Sequence, residues 1–204
     1  MDISIEEINT RYRDPVTKAA GQVPENKTTL ATIDTLKLTR HIEGGYFVET
    51  DRDKSLTTNA AGEERSMSTS IFYFITPNTP IGAFHRNASR TVHTLHQGRG
   101  IYIILVPLGP NGSFEDFRIE TFVVGHDIGN RERLQWIVEG GCYKASFLVP
   151  RENEKLDDSS GLLISETVVP GFDYRDHDFL TTENFESWVS PELFQQLRWL
   201  VRKE

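Results

Sequence analysis

Between positions 46 and 169, this chain of 204 residues consists largely of short runs of β-branched and aromatic residues. Gly, Pro and Asn separate the runs and no helical pattern lies between them, which predicts eight or nine strands joined by hairpin-length connections. The runs are "YFVET", "STSIFYFIT", "IGAFH", "TVHTLH", "IYIILVPL", "DFRIETFVV", "LQWIVE", "YKASFLVP" and "LLISETVVP". Strands connected in this way form antiparallel sheets that close into a barrel or stack as a two-sheet sandwich.

Helical patterns flank this β region. Residues 28–38, "TTLATIDTLKL", place leucine and isoleucine at roughly helical spacing behind a Thr cap. The tail "SPELFQQLRWLV" offers Ser190 as N-cap and Pro191 as the first helical residue, so we predict a C-terminal helix over 190–202.

The N-terminal residues are weakly patterned, and Asp-Pro, Gly-Gln and Pro-Glu-Asn interrupt them. They predict a short helix followed by a mobile connection. Further along, the polar stretch 150–161 predicts a loop between two strands. We therefore expect an N-terminal extension over 1–28 and a single domain over 29–204.

Composition excludes several classes of partner. The formal charge of −8 comes from acidic residues scattered along the chain, and no basic stripe is present to follow a nucleic-acid backbone. No segment approaches the ~20 apolar residues of a membrane span, and the N-terminus has no basic start followed by an apolar run. The single cysteine, Cys142, fits a reducing compartment. We expect a cytoplasmic protein that binds neither nucleic acid nor membrane.

Six stretches carry a resemblance to a known family. They are "LKLTRHIEGGYFVET", "SIFYFITPNTPIGAFHRN", "HQGRG", "QWIVEGG", "KASFLVP" and "LLISETVVPGFDYRDHDFL". In this order they resemble the landmarks of the cupin-5 family, a cupin-like domain of unknown function, over about residues 29 to 180. Glu-Gly-Gly-Tyr-Phe and Pro-Gly-Phe-Asp are the most diagnostic pieces.

The resemblance implies an all-β jelly roll, the double-stranded β-helix of cupins, with short flanking helices and pairing into a homodimer. This fold agrees with the strand count reached from the residues alone. It does not decide the activity, because relatives of the family include epimerases, isomerases, metal oxygenases and binding proteins.

The histidines in "FHRNASRTVHTLHQGRG" raise the question of a metal site. Metal cupins hold their ion with a His-x-His pair, a glutamate and a later histidine, and this chain has no such pair. His93 and His96 are three positions apart, so on a regular strand they face opposite sides. We therefore expect no cofactor. The alternative is a divalent metal held by His85 and His93, with Glu166 as a possible third ligand.

The resembled family also has an Asp-Glu pair and a Trp-His pair in this region. This sequence has Arg90 and Thr91, then His93 and Thr94, at those positions. The acidic residue is absent and the histidine is displaced by one place, which weakens the metal interpretation.

Acid and base catalysis requires fewer residues than a metal site does. His85 or His93 could remove a proton next to a carbonyl group, while Glu166 or Tyr73 supplies one to the opposite side. Glu166 interrupts an apolar strand, and in a cavity its pKa would rise toward that of a useful acid. The alternative is a structural ion pair of Glu166 with Lys144 across neighbouring strands.

A small-molecule site also needs apolar walls and a few placed polar groups. Arg52, which follows the run "YFVET", could clamp a ligand carboxylate or phosphate, or it could form a surface ion pair. The residues that we predict to bind the substrate are Tyr46, Phe84, Trp136, Lys144, Phe172 and Asp173.

The sequence leaves three functions open. The leading hypothesis is a metal-independent isomerase, epimerase or cyclase that acts on a small organic carbonyl compound by histidine acid/base chemistry. The second is a metal-dependent oxygenase or lyase. The third is a binding protein without chemistry.

Overall fold

The computed structural model describes residues 2–151 and 154–202. Positions 152 and 153 of the predicted loop 150–161, and positions 203 and 204 of the predicted domain, lie outside the described residues. Thirteen strands are present in the described part of the chain. They are β1 Thr39–Arg40, β2 Tyr46–Arg52, β3 Leu56–Thr58, β4 Glu64–Ser66, β5 Thr69–Ile75, β6 Ile81–Asn87, β7 Arg90–Gln97, β8 Gly100–Pro107, β9 Phe117–Val124, β10 Gln135–Val138, β11 Tyr143–Leu148, β12 Leu162–Val169 and β13 His177–Phe179.

The strands form two main antiparallel sheets and one hairpin. The larger sheet has the order β1-β2-β5-β12-β7-β10, the second has the order β13-β6-β11-β8-β9, and β3 pairs with β4. Side chains of the two sheets meet in a common core, which includes Tyr73 and Ile164 from the first sheet and Ile103 and Phe147 from the second. This all-β arrangement with short terminal helices confirms the predicted jelly roll.

All of the predicted β runs are strands in the structure, with ends that differ by at most two residues. The sequence did not predict β1, β3, β4 or β13. Each of these has only two or three residues, which is too few to display the alternation that identifies a strand.

The helices lie at the two ends of the chain. Their bounds are α1 Ile5–Glu7, α2 Asp14–Ala19, α3 Lys27–Leu36, α4 Thr182–Trp188 and α5 Pro191–Leu197, with a π-helical segment Ile8–Arg13 between α1 and α2. Ser190 caps α5 as predicted, and its hydroxyl oxygen accepts a hydrogen bond from Leu193 N. In place of one helix to residue 202, α5 ends at Leu197 and a 3₁₀ turn follows it.

The N-terminal segment contributes to the core. Ile8, Tyr12, Val16 and Ala19 recur every three or four residues and are buried with the side chains of the sheets. The connection that follows, predicted to be mobile, is attached to the barrel by hydrogen bonds. For example, Gly21 N donates to the carbonyl oxygen of Asn78.

Helices cover the outer faces of the sheets. Partly buried side chains of α3 pack against Tyr46 and Phe74 on the larger sheet and against Leu38, which precedes β1. On the second sheet, Phe84 contacts Phe185 of α4, with ring centroids 5.9 Å apart. In the described ranges, no helix has the length and apolar character needed to span a membrane.

Candidate functional site

A buried group of three polar side chains lies between the two sheets. Lys144 on β11 places its Nζ 2.7 Å from Oε2 of Glu166 and 2.8 Å from Nε2 of His93. Glu166 lies on β12 and His93 on β7, and these two strands are neighbours in the larger sheet. The predicted pair of Lys144 and Glu166 therefore exists, but it connects facing sheets. The prediction of neighbouring strands is wrong because β11 belongs to the second sheet.

The charges of this group are set by burial and by Lys144. Burial alone would raise the pKa of Glu166, but the Lys144 ammonium and His93 hold that pKa well below its ordinary value. Burial and the same ammonium lower the pKa of His93. Glu166 is therefore ionised and His93 neutral at neutral pH. The predicted rise in the pKa of Glu166 is contradicted, because a cation is bound to the carboxylate.

Trp136 completes the surroundings of His93. Its ring stacks on the imidazole with centroids 5.1 Å apart and an interplanar angle of 12°. Tyr102 approaches both rings from the second sheet. His93 is completely buried by these contacts.

A second polar group surrounds Glu43, at the turn that precedes β2. Nε2 of His177 lies 2.9 Å from Oε1 of this carboxylate, and Nε2 of His85 lies 3.2 Å from Oε2. His41 Nδ1 is 3.5 Å from Oε2 and accepts a hydrogen bond from the backbone N–H of Glu43 at 3.3 Å. The carboxylate is thus in contact with three histidines.

Two glycines allow the turn to bring Glu43 to this place. Gly44 and Gly45 have φ angles of +104° and +71°, which side chains rarely permit. A Cβ atom on Gly44 would lie 2.2 Å from the carbonyl oxygen of Ile81. Tyr73 supports the turn from inside the barrel, since its hydroxyl donates to the carbonyl oxygen of Gly44 at 2.9 Å. The Glu-Gly-Gly motif therefore has a structural explanation.

The Glu43 group has its own pattern of charge. Burial raises the pKa of Glu43, but His85, a hydrogen bond from His177 and the neighbouring His41 outweigh it and lower the pKa to about 2. Burial lowers the pKa of His85 to about 4, against the attraction of Glu43. Nδ1 of His85 lies 2.8 Å from the carbonyl oxygen of Ala83, which can only accept. At neutral pH, Nδ1 therefore carries the proton and Nε2, facing Glu43, carries a lone pair.

Both carboxylates line one cavity of about 440 Å³. Strands β2, β5 and β12 form one side of it, and residues 41–43 and 172–174 contribute the rest together with the end of β6. The lining residues are His41, Glu43, Phe47, Glu49, Arg52, Thr69, Ile71, Asn87, Glu166, Val168, Phe172, Asp173 and Tyr174.

Residues 31–180 match the protein family described as Cupin superfamily (DUF985). The chain belongs to this cupin family. The uncharacterized protein YML079W of Saccharomyces cerevisiae is 39% identical over 213 residues, which cover 98% of this chain and 100% of the yeast protein.

Two solved structures are similar to this chain in fold. A hypothetical protein from Leishmania major has a TM-score of 0.73 and 26% identity, covering 87% of this cupin and 100% of that chain. Protein SO0799 from Shewanella oneidensis has a TM-score of 0.66 and 23% identity, covering 85% and 97% of the two chains. At that identity the bacterial protein shows the fold alone. The family is one of unknown function, so the chemistry of this cupin must be inferred from its site.

The predicted site residues occupy three positions relative to the cavity. Glu166, Phe172 and Asp173 line it. Behind this lining are His85, His93, Trp136, Lys144 and Tyr73, which are buried and contact the two polar groups or their surroundings.

Tyr46 and Phe84 lie away from the cavity, on the outer faces of the two sheets. Tyr46 faces α3 and its hydroxyl donates to Glu25, while Phe84 packs on α4. Neither residue lines the cavity, in contrast to the prediction that both contact a ligand. Aromatic content alone does not distinguish the inner from the outer face of a strand when helices bury both faces.

The cupin fold also implies a metal ion, and the residues present do not fit one. Nε2 of His93 and Oε2 of Glu166 are both hydrogen-bonded to the Lys144 ammonium, which uses the lone pair of Nε2 and places a positive charge where a metal cation would have to lie. Nε2 of His85 faces Glu43 instead of these two groups. In the described part of the chain, no set of three or more His, Cys, Asp or Glu side chains has an arrangement that could hold a metal. The predicted ligands therefore do not form one site.

Among the cavity residues that sequence reasoning missed, three carry the polar chemistry discussed below, namely Glu43, His41 and Asn87. Glu43 and His41 precede β2, and Asn87 ends β6. The only signal for Glu43 was its place in Glu-Gly-Gly-Tyr-Phe, a motif that the resemblance treats as diagnostic. No pattern in the sequence indicated that His85 and His177, ninety-two positions apart, would share one carboxylate.

Proposed function

We propose that this cupin binds a small organic carbonyl compound in the cavity and catalyses a metal-independent proton transfer on it, as an isomerase, epimerase or cyclase. The observation that carries the proposal is the Glu43 group. A carboxylate lines the cavity, and a histidine nitrogen with a lone pair lies 3.2 Å behind it.

Glu43 is the base in this scheme. A C–H bond next to the ligand carbonyl breaks, its electron pair moves toward the carbonyl oxygen, and the proton moves to Glu43. Nε2 of His85 can then accept the proton from Oε2. In the resulting imidazolium, both ring nitrogens face an acceptor, namely Glu43 and the carbonyl oxygen of Ala83. This support for the protonated form offsets part of the cost of burying its charge.

His41 is the acid. Its Nδ1 accepts a hydrogen bond from the backbone N–H of Glu43, which leaves Nε2 as the ring nitrogen that carries a proton. His41 also lines the cavity, and Nε2 has no partner among the described residues. It can donate a hydrogen bond to the ligand carbonyl oxygen, where negative charge develops, while the proton held by the Glu43 group returns to a second carbon of the ligand. Relative to the sequence prediction, His85 moves from direct contact with the ligand to a position behind Glu43.

A second candidate is binding without chemistry. The pKa values of the two buried cavity carboxylates, Glu43 and Glu166, lie far below neutrality, and a weakly basic carboxylate is a poor proton acceptor at pH 7. Such groups are well suited to accept hydrogen bonds from a ligand. This observation supports binding without chemistry as the second candidate, and the experiment below distinguishes it from catalysis.

The test uses deuterium as a label for proton transfer. Carbonyl compounds that bind the protein are incubated with it in D₂O, and NMR measures exchange of the C–H next to the carbonyl. We expect exchange with the wild type, a loss of at least about 100-fold in His41→Asn and Glu43→Gln, and no change in His96→Asn. His96 is an exposed histidine on β7 and serves as the matched control. Carbonyl ligands that bind tightly and never exchange would support the second candidate.

The homodimer and the cytoplasmic location expected from the sequence stay predictions. Sedimentation velocity of the purified chain tests the first of them.

A further inference from the structure

Most of the charged groups on the cavity surface are hydrogen-bond acceptors, and His41 Nε2 is the donor that the proposed function already uses. Glu43 and Glu166 are ionised at neutral pH and accept only. Asn87 lines the same cavity with 8% of its surface exposed, and its Oδ1 is buried without a hydrogen-bond partner among the described residues. Buried polar atoms are normally paired, so this oxygen is suited to a ligand donor.

Arg52, the only lysine or arginine that lines the cavity within the described residues, is already engaged. Its Nε and Nη2 donate to the two oxygens of Glu49 at 3.0 and 2.7 Å. Its Nη1 donates to the carbonyl oxygen of Phe172 at 3.2 Å. Lys144 does not line the cavity, and its ammonium is bound to His93 and Glu166.

An anionic ligand would therefore lose its hydration without gaining a free lysine or arginine partner. It would also approach two buried carboxylates, and repulsion between like charges is strong away from bulk water. A hydroxyl or amino group would instead meet three acceptors. Phe47, Phe172 and Tyr174 supply apolar surface for the carbon skeleton. The cavity of about 440 Å³ lies near the small end of the range of ligand sites.

We propose that the cavity selects small hydroxy- or amino-bearing compounds that carry no anionic group, with Asn87 as a specificity-determining residue that accepts one ligand donor. This inference rests on the proposed function in one respect, because it takes the cavity as the ligand site. It does not depend on whether proton transfer occurs there.

The experiment is a protein-observed NMR screen of the full chain at pH 7. The probes are fragments in three equal classes: primary amines, neutral alcohols, and carboxylates or phosphates matched to them in size and skeleton. Shift changes at the backbone and side-chain amides of Asn87 report on the cavity. We expect amines and alcohols to bind there at least tenfold more tightly than their anionic counterparts.

Two results contradict the proposal in different ways. Carboxylates or phosphates that bind in the cavity as tightly as amines overturn the selectivity and leave the proposed function intact. If no fragment of any class binds there, the proposed function is overturned together with the selectivity.

Variants test the reason for the selectivity. Asn87→Ala should weaken alcohol fragments by about two- to tenfold, the effect of one hydrogen bond, while Asn184→Ala on the exposed face of α4 should change nothing. Asn87→Asp, which conserves the shape, should favour amines over alcohols and keeps the test open if the alanine variant folds poorly. Unchanged affinities in both Asn87 variants overturn the role of this residue.

Glu49→Ala gives the opposite test. Glu49 is an exposed residue on β2, and its removal frees two donor positions of Arg52. Carboxylate fragments should then gain affinity in the cavity by tenfold or more, whereas Glu64→Ala on the exposed surface of β4 should give no gain. Exclusion of anions that persists in Glu49→Ala would contradict the explanation based on Arg52.

Discussion

Glu43 and Glu166 are buried carboxylates that line the same cavity, yet the chain holds them in different ways. Glu166 lies on a regular strand and binds the ammonium of Lys144. Glu43 lies beside a glycine turn and is in contact with histidines. A lysine supplies a fixed charge, whereas histidine gains and loses a proton near neutral pH when its pKa is unperturbed. In the proposed function, the Glu166 group therefore has a constant electrostatic role and the Glu43 group holds the movable proton.

The largest expected effect comes from removing the fixed charge. Lys144→Met leaves ionised Glu166 buried without its partner, and we expect a loss of about 3–5 kcal/mol in the free energy of unfolding, measured by urea titration. Lys54→Met, at an exposed lysine, should cost less than about 0.5 kcal/mol.

The double variant Lys144→Met with Glu166→Met distinguishes two causes of the lost stability. One is the loss of the charged partner of Glu166, and the other is the loss of packing at position 144. The double variant should recover part of the stability, because an apolar pair no longer contains an uncompensated charge. A double variant less stable than the single one would show that packing, rather than charge, explains the loss.

Gly44→Ala tests the turn that holds Glu43. The new Cβ would lie 2.2 Å from a backbone oxygen, at a φ of +104°, so we expect a loss of about 3 kcal/mol together with weaker ligand binding. Gly62 is the matched control, since it also has a positive φ but no atom within 4 Å of the added carbon. Gly62→Ala should cost only about 1 kcal/mol. Equal costs at the two positions would contradict the close approach at Gly44.

Glu43→Gln should destabilise the protein less than Lys144→Met does. The amide keeps one acceptor for the histidines and leaves no buried charge, so we expect a loss of about 1–3 kcal/mol in thermal or urea unfolding. A loss as large as that of Lys144→Met would mean that the Glu43 group is also a fixed ion pair.

The last comparison concerns the dependence of stability on pH. Between the ordinary pKa of 6.5 and the folded pKa of about 4, His85 takes up a proton only in the unfolded chain, so stability falls as the pH decreases through this range. Glu43 remains ionised in the folded protein between 4.5 and about 2, and stability therefore falls further there. His85→Gln should flatten the first decline and Glu43→Gln the second, measured by urea unfolding at each pH. If the two declines in stability persist in these variants, groups other than His85 and Glu43 cause them.

The sequence predicted one of these carboxylates far better than the other. Glu166 stood out because a charged residue interrupted an apolar alternation on a long strand, and strand periodicity is a local property. Its pairing with Lys144 could be suggested from charge, but the sheet assignment of β11 could not, because it depends on long-range topology. The same limit explains why Tyr46 and Phe84, both buried, were assigned to the cavity when they face helices.

Glu43 could not be found by periodicity because it lies in a turn. Its position depends on the φ angles of Gly44 and Gly45 and on contacts with residues about forty to 130 positions away. The resemblance indicated that the motif matters, yet only the structure connects it with His85. The fold was therefore largely predictable from local pattern, whereas the cavity required tertiary contacts between distant segments.

The most direct test of this account is the protonation state of His85, observed by long-range ¹H–¹⁵N NMR of the imidazole rings and assigned with His85→Gln. The account predicts a neutral ring at pH 7 with the proton on Nδ1, titrating near pH 4. Nε2 is then able to accept a proton from Glu43. A ring that carries protons on both nitrogens at pH 7 would contradict the account, because the Glu43 group would have no site for a proton taken from the ligand.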